Sequence, residues 1–291
     1  MIKYIKRENI DIEKYDNCVQ NAIQSRMYAF SWYLDIVAEN WDVLVLNDYE
    51  AVMPLPWKKK YYLKHVSQPF FCQQLGIFSL NQIDINLQNI FLKKIPFSFL
   101  KVTQNLNAQN FANKFSLERK NYVLSLENNY NSLFKRFSKG RKHAVKVAQK
   151  NELNTKVISI LDLIKLKEQF YLHSNFPKDI IEKLANYILS KNKGFIIGVF
   201  KDEKLLGGGF FLKSNSRITY LFSSFNNEGR KYQAASFLIN KVIEDYQNSD
   251  LILDFEGGSI SNIGSFFKSF GAKNNCFYMI RFNNISILNW N

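Results

Sequence analysis

Residues 251–272 read LILDFEGGSISNIGSFFKSFGA. Leu251, Ile252 and Leu253 are a short apolar run of the kind that forms a buried strand. Gly257 and Gly258 then allow a sharp backbone turn. Ser259 or Ser261 caps a helix on which Ile263, Phe266, Phe267 and Phe270 recur at three- and four-residue spacing, and Gly271 stops it. The expectation is a strand that passes directly into a helix. At that joint Asp254 and Glu256 lie two apart, so an extended chain presents both carboxylates on one face, at the strand's C-terminal end where α/β sheets bind ligands. The residue types alone leave other readings open: the acids as helix caps or solvated charges, and Lys268 as a solvated residue on the helix's polar face.

Upstream, Gly229-Arg230-Lys231-Tyr232-Gln233-Ala234-Ala235 precedes a helical face of Ala235, Leu238, Ile239, Val242, Ile243 and Tyr246. Residues 195–200, 205–212 and 217–222 read as three antiparallel strands. Gly207, Gly208 and Gly209 interrupt the middle one at about 0.5–1 kcal/mol each relative to alanine. Something therefore approaches the backbone there, either a ligand at Gly208 or a bulge or packing neighbour. Tyr220, Ser223 and Ser224 end the third strand and are candidates for the cleft, with Tyr220 either a proton donor to a leaving group or a core ring. Residues 161–171 and 178–190 read as helices, the second introduced by Pro177. Before them Lys139, Arg141, Lys142, His143, Lys146 and Lys150 surround a small stripe of Ala144, Val145, Val147 and Ala148. That helix is either a solvated linker or a phosphate-binding surface beside the cleft.

The N-terminal half shows a related pattern. Residues 2–5 read as a strand, Ile12, Tyr15, Val19, Ala22 and Ile23 share a helical face, and 31–37 form a second helix. Strands at 41–46, 51–57 and 61–66 are joined by hairpins, followed by a strand within 69–80, a helix at 83–91 and strands at 97–102 and 122–126. Residues 41–57 and 195–211 share strand, Asp-containing turn and strand, and Asp202 follows Asp48 by 154 residues, close to half the chain. Two copies of one domain type are expected, at 1–126 and 127–291, with a strand at 277–282 closing the second and 285–290 returning toward its neighbour. The fold class is α/β with mixed α+β sheets, each domain a mostly antiparallel sheet flanked by helices.

At 291 residues and 46% hydrophobic, the chain can bury a core in each of two domains. The net charge of +14 calls for an anionic partner, nucleic acid, coenzyme phosphate or an acidic membrane surface, unless it reflects a general lysine-rich composition. Cys18, Cys72 and Cys276 are too few and scattered for a disulfide framework or a metal site, and the cytoplasm is the expected compartment. No signal core or membrane-length apolar run is present in the sequence, and peripheral membrane contact stays open. His65, His143 and His173 have neither metal-ligand nor triad spacing, so no metal is predicted.

Asp254-Phe255-Glu256-Gly257, with Phe267-Lys268 and Phe270-Gly271 after it, resembles the C-terminal signature of Fem-type aminoacyl transferases and the GNAT-like acyltransferases related to them. Segments 139–150 (KGRKHAVKVAQK), 194–224 and 228–246 are similar to the same group in the same order, while the N-terminal half resembles it only in its pattern of elements. The resemblance implies two tandem GNAT-like domains and an N-acyltransferase that moves an acyl group from an activated donor to an amine acceptor. It places Phe267 and Lys268 in the reaction site. Asp254 or Glu256 then takes the amine proton, Lys268 or backbone N–H groups near Gly257 stabilise the oxyanion, and Arg141, Lys142, Lys146 and Arg230 hold donor phosphates. Arg230 and Ala235 fit the GNAT pyrophosphate loop, but Gln233 stands where its central glycine belongs, a departure that bears on coenzyme binding. The donor reading leans to acyl-CoA. Aminoacyl-tRNA acting on a cell-wall precursor or peptide amine is the alternative, and a non-catalytic RNA- or membrane-surface-binding protein is the second.

Overall fold

A computed structural model describes residues 1–170 and 176–284. The expected helix end at Tyr171, His173 and the expected return at 285–290 lie outside the described residues. The chain forms two compact units, Met1–Arg119 with the chain from Cys276 onward, and Lys120–Asn275.

The first unit contains strand β1 (Ile2–Lys6) and helix α1 (Ile12–Asn21), where Asp11 caps the helix by accepting from the Lys14 N–H. Then follow α2 (Ser31–Val37), β2 (Asn40–Leu46), β3 (Ala51–Lys60), β4 (Leu63–Ser67), β5 (Phe78–Ser79), α3 (Ile85–Lys93), β6 (Phe99–Asn105) and β7 (Ser116–Arg119). The second unit runs through β8 (Asn121–Ser125), α4 (Tyr130–Lys135), α5 (Lys139–Lys150), β9 (Asn154–Val157), α6 (Ile160–Phe170) and α7 (Lys178–Ser190). It continues with β10 (Gly194–Lys201), β11 (Lys204–Lys213), β12 (Arg217–Phe225), α8 (Asn227–Lys231), α9 (Ala234–Asp245), β13 (Ile252–Gly258), α10 (Ser261–Lys268) and β14 (Lys273–Asn274). Strand β15 (Phe277–Asn283) closes the described chain.

Both sheets obey one plan. In the first, β1-β2-β3-β4 are antiparallel neighbours, β4 lies parallel to β6, and β15 pairs antiparallel with both β6 and β7. In the second, β9-β10-β11-β12 are antiparallel, β12 lies parallel to β13, and β8 pairs antiparallel with both β13 and β14. The sheets are therefore mixed.

Two expectations are corrected by the pairing. Strand β8, expected to end the first domain, belongs to the second sheet, and β15, expected to close the second domain, belongs to the first. The division accordingly falls at Arg119/Lys120 and again at Asn275/Cys276 rather than at 126/127. Sequence pattern reports that a strand exists, whereas its sheet is chosen by partners more than a hundred residues away. The stretch 69–80 is largely loop and contributes only β5. Phe71 and Gly76 take φ of 56° and 88°, which breaks an extended backbone, and the amides of Gln68 and Asn105 bond its carbonyls instead.

Each unit has its own core. In the first, Leu44, Met53, Leu55, Phe91, Phe99 and Ile280 pack together fully buried. At the margin of that core the Asp42 carboxylate accepts from the Tyr4 hydroxyl, the Arg7 N–H and the Trp57 Nε1–H, and burial with this contact raises the Tyr4 phenol above its usual range. In the second, Leu133, Val145, Phe211, Leu238, Leu253, Phe255 and Phe270 form the centre.

The glycine triplet of β11 is explained by protein atoms. A Cβ on Gly207 would stand 2.1 Å from the Phe225 ring, one on Gly208 2.4 Å from the Ile197 carbonyl oxygen, and one on Gly209 2.8 Å from the Tyr220 ring. A side chain at Gly208 would thus run into the β10 backbone, which accounts for the glycine by packing. Because its obstacle is backbone, Gly208→Ala is expected to destabilise by about 1–3 kcal/mol in urea unfolding. Gly257→Ala, whose Cβ would have its nearest neighbour at 3.6 Å, is expected to leave stability unchanged.

Candidate active site

Strands β12 and β13 run side by side only through Arg217↔Ile252, Ile218↔Leu253 and Thr219↔Asp254. Beyond that register they part, although β12 continues to Phe225 and β13 to Gly258. Both strands are irregular at this point. On β12, Phe211 pairs with Tyr220 and Phe210 with Phe222, so Leu221 is an extra, bulged residue. On β13, the pairing with β8 is irregular between Asp254 and Gly258, and Glu256 adopts φ 53°. The Asp254 carboxylate, 1% exposed, accepts from Arg217 Nη1 at 2.6 Å, Asn121 Nδ2 at 2.9 Å and the Glu256 N–H at 3.0 Å. The Asn121 side-chain oxygen Oδ1 in turn accepts the Gly257 N–H at 2.9 Å.

The gap opens a cavity of about 470 Å³. Its walls are Tyr220, Ser223 and Phe225 from β12, Gly229 and Arg230 from α8, Gln233, Ala235 and Ser236 at the start of α9, and Asn262, Ile263, Phe266 and Phe267 from α10. The lining is mostly apolar, with polar groups concentrated at α8 and the N-terminus of α9. Gln233 takes φ 62° and ψ 32°, the left-handed conformation that glycine favours. The loop therefore keeps the backbone that a glycine there would supply. The first intrahelical bond of α9 runs from the Phe237 N–H to the Gln233 carbonyl, so the preceding amides belong to the open helix end.

Arg141 stands behind this helix end. Its guanidinium donates to the hydroxyls of Ser236 and, at 2.9 Å, Ser269, and stacks over the rings of Phe266 and Phe270 at 4.1 and 4.7 Å. Burial pushes its pKa down to about 10, which leaves it charged at neutral pH. Among the described residues no carboxylate pairs with it. A half-buried cation that no described carboxylate neutralises, bonded to a cavity-lining serine, calls for an anion.

The predicted site residues divide. Tyr220, Ser223, Arg230, Gln233 and Phe267 line one cavity, with Arg141 one hydrogen bond away through Ser236. Lys268 does not join them: it is exposed on the last turn of α10, while its neighbour Phe267 points inward against Phe255. Lys142 reaches the Lys135 carbonyl, and Lys146 and His143 are exposed. Asp254 is buried under its ion pair, and the N–H groups of Glu256 and Gly257 are both engaged within the protein. Ser224 faces the other side of β12, buried beside Gly208. Ser236 and Asn262 were not singled out by sequence reading, and Phe266 was read only as part of its helix's apolar face. Ser236 alone had a signal, since it sits in the first turn of a helix behind a phosphate-loop-like segment.

The parallel pair that parts, repeated sheet plan and helix following the parted strand define a tandem GNAT-like fold. The chain is similar to the crystal structure of FemX, with a TM-score of 0.68 and 11% identity over 96% of this chain and 97% of that one. It is also similar to L-PGS from Bacillus licheniformis (TM-score 0.55, 10% identity, 96% of this chain and 95% of that one). A tandem GNAT protein from the clavulanic acid biosynthesis pathway aligns at a TM-score of 0.55 and 8% identity over 98% of this chain and 99% of that one. No protein-family model and no curated protein matches the sequence.

The ion pair under the gap is testable without an assay of function. Arg217→Met strands the Asp254 carboxylate and is expected to cost about 3–5 kcal/mol in urea unfolding. Combining it with Asp254→Asn should recover most of that loss. Additive losses in the double variant would show the two groups to be uncoupled.

Proposed function

We propose that this protein is an N-acyltransferase whose activated donor binds in the cavity between β12, α9 and α10. The observation that carries this reading is Arg141, a half-buried cation with no carboxylate partner among the described residues, set behind the open N-terminus of α9 with Arg230 on the cavity wall. Such an arrangement suits a phosphate-bearing donor, because helix amides and a guanidinium fork together bind phosphate oxygens. The apolar walls toward Phe225, Phe266 and Phe267 then receive the acyl end. Acyl-CoA is the donor on this reading. The objection from the missing glycine loses its force, since Gln233 already holds the left-handed conformation.

In the reaction the amine attacks the donor carbonyl and the tetrahedral intermediate expels the thiolate. Tyr220, on the wall of the cavity, is assigned to protonate that leaving group. Asp254 is committed to Arg217 and Asn121, which leaves Glu256 as the carboxylate assigned to the amine proton.

Thermal unfolding with and without saturating CoA and short acyl-CoA thioesters tests the donor. A ligand at about a hundred times its Kd stabilises by about 2.7 kcal/mol, a rise of roughly 5 to 10 °C in a domain of this size. Arg141→Lys, which keeps the charge but loses the fork, is expected to weaken donor binding by about tenfold or more. No shift with any thioester, together with a shift on adding aminoacyl-tRNA, would transfer the site to that donor; no shift with either would remove the transferase reading.

A further inference from the structure

Strand β3 outruns its neighbour. Its pairing with β2 ends at Asn40↔Trp57, whereas with β4 it continues through Lys58↔His65, Lys59↔Lys64 and Lys60↔Leu63. This leaves a projecting hairpin with a two-residue loop, Tyr61-Tyr62. Both residues have positive φ, 49° and 65°, and their side chains are 83% and 97% exposed. A two-residue loop with both central φ angles positive is a type I′ turn, which Asn-Gly fills without strain. Bulky rings are outliers there, and among the described residues the ring contact at this turn is the exposed Lys60 ammonium 5.5 Å over Tyr61, which buries neither ring.

The surroundings share one character. Leu63 is 50% exposed, and the pairing of Lys64 with Phe99 brings Phe97 and Leu100, 58% and 39% exposed, to the same end of the sheet. From residue 51 to residue 117 the chain carries the lysines 58, 59, 60, 64, 93, 94, 101 and 114 against one acid, Asp84. Among the described residues none of these eight lysines forms an ion pair. Lys58, Lys59 and Lys60 flank the tip itself and are exposed.

We infer that the β3–β4 hairpin is a docking finger for a bilayer surface containing anionic phospholipid. Tyrosine rings sit at headgroup depth with the hydroxyl in water, Leu63 and Phe97 reach the acyl boundary, and lysines are drawn to the anionic leaflet. A convex tip with aliphatic as well as aromatic residues fits a lipid interface. Single-stranded nucleic acid is instead gripped in a basic groove where bases stack on aromatic platforms. The hairpin belongs to the first unit, and the inference does not rest on the acyltransferase reading.

The full-length protein is sedimented with vesicles of phosphatidylcholine alone and of phosphatidylcholine mixed with phosphatidylglycerol. Binding is expected to the mixed vesicles and to weaken as salt is raised. Tyr61→Asn with Tyr62→Gly installs the preferred turn, so its melting temperature should hold or rise while partitioning falls about tenfold. Lys58→Gln, Lys59→Gln and Lys60→Gln should each weaken it about fivefold. The proposal is overturned by absence of binding to the mixed vesicles, by equal binding to both vesicle types, or by a tyrosine variant that binds as the parent does. Binding of an RNA oligonucleotide in place of vesicles, lost in the same variants, would assign the finger to nucleic acid. Self-association without vesicle binding would assign it to a second copy, and either result overturns the lipid reading.

Discussion

The second unit depends on how the Asp254 carboxylate is buried. At 1% exposure it has no water to solvate it, and a buried charge persists only with a counter-ion and hydrogen bonds for its remaining lone pairs. Arg217 supplies the charge from β12, Asn121 an amide from β8, and Glu256 a backbone N–H from β13 itself. One side chain thereby joins three strands. The Glu256 amide turns inward with that residue at φ 53°, and together with the extra residue Leu221 on β12 this ends the shared register at Thr219↔Asp254. Helix α10 then passes close over the strand end, where a Cβ on Gly264 would stand 2.5 Å from the Gly258 carbonyl oxygen. The cavity lies where the bulge of β12 at Leu221 and the buried charge of β13 part the two strands, and its walls come from β12 and the helices α8, α9 and α10.

Local pattern made much of this legible. The strand-to-helix joint, α2 at 31–37, α5 at 139–150 and α7 at 178–190 follow from apolar spacing and caps that lie within each segment. Asp254 was legible as an acid on a strand end, but its partners Arg217 and Asn121 lie 37 and 133 residues away. Nothing near it in sequence distinguishes a base from a strut. Strand membership failed for the same reason at β8 and β15, and β7, β9 and β14 were missed because they are short and largely polar, with little alternation to read.

Arg141 shows a signal that was present but outweighed. Read by composition, it is one of a run of cations in KGRKHAVKVAQK. Read by period, it stands three, four and seven residues before Ala144, Val145 and Ala148, the residues that α5 buries. Its position on the inward face therefore follows from 3.6 residues per turn, and Lys142, Lys146 and Lys150 fall outside that face. What period does not reveal is the clamp: the hydroxyls of Ser236 and Ser269 and the rings of Phe266 and Phe270 come from elements about a hundred residues further on. Stacking of the guanidinium on the two rings and its hydroxyl contacts let it leave water without a carboxylate among the described residues.

The +14 charge likewise separates into parts with different physics. Where lysines are paired, as in Lys14–Asp48, Lys156–Glu203 and Lys241–Asp245, the pairs are exposed and contribute little stability, but they cancel local repulsion. The stretch from 51 to 117 has no such cancellation, having one acid to eight lysines. A general preference for lysine would place acids among them as it does elsewhere in this chain. Like charges left uncompensated on one unit oppose its compaction through self-repulsion, and salt or an external anion is what relieves it. The strained tyrosine turn lies within the same stretch and also works against the isolated fold. Two unfavourable features at one hairpin, neither serving the core, mark a surface shaped by what it meets rather than by what it packs against.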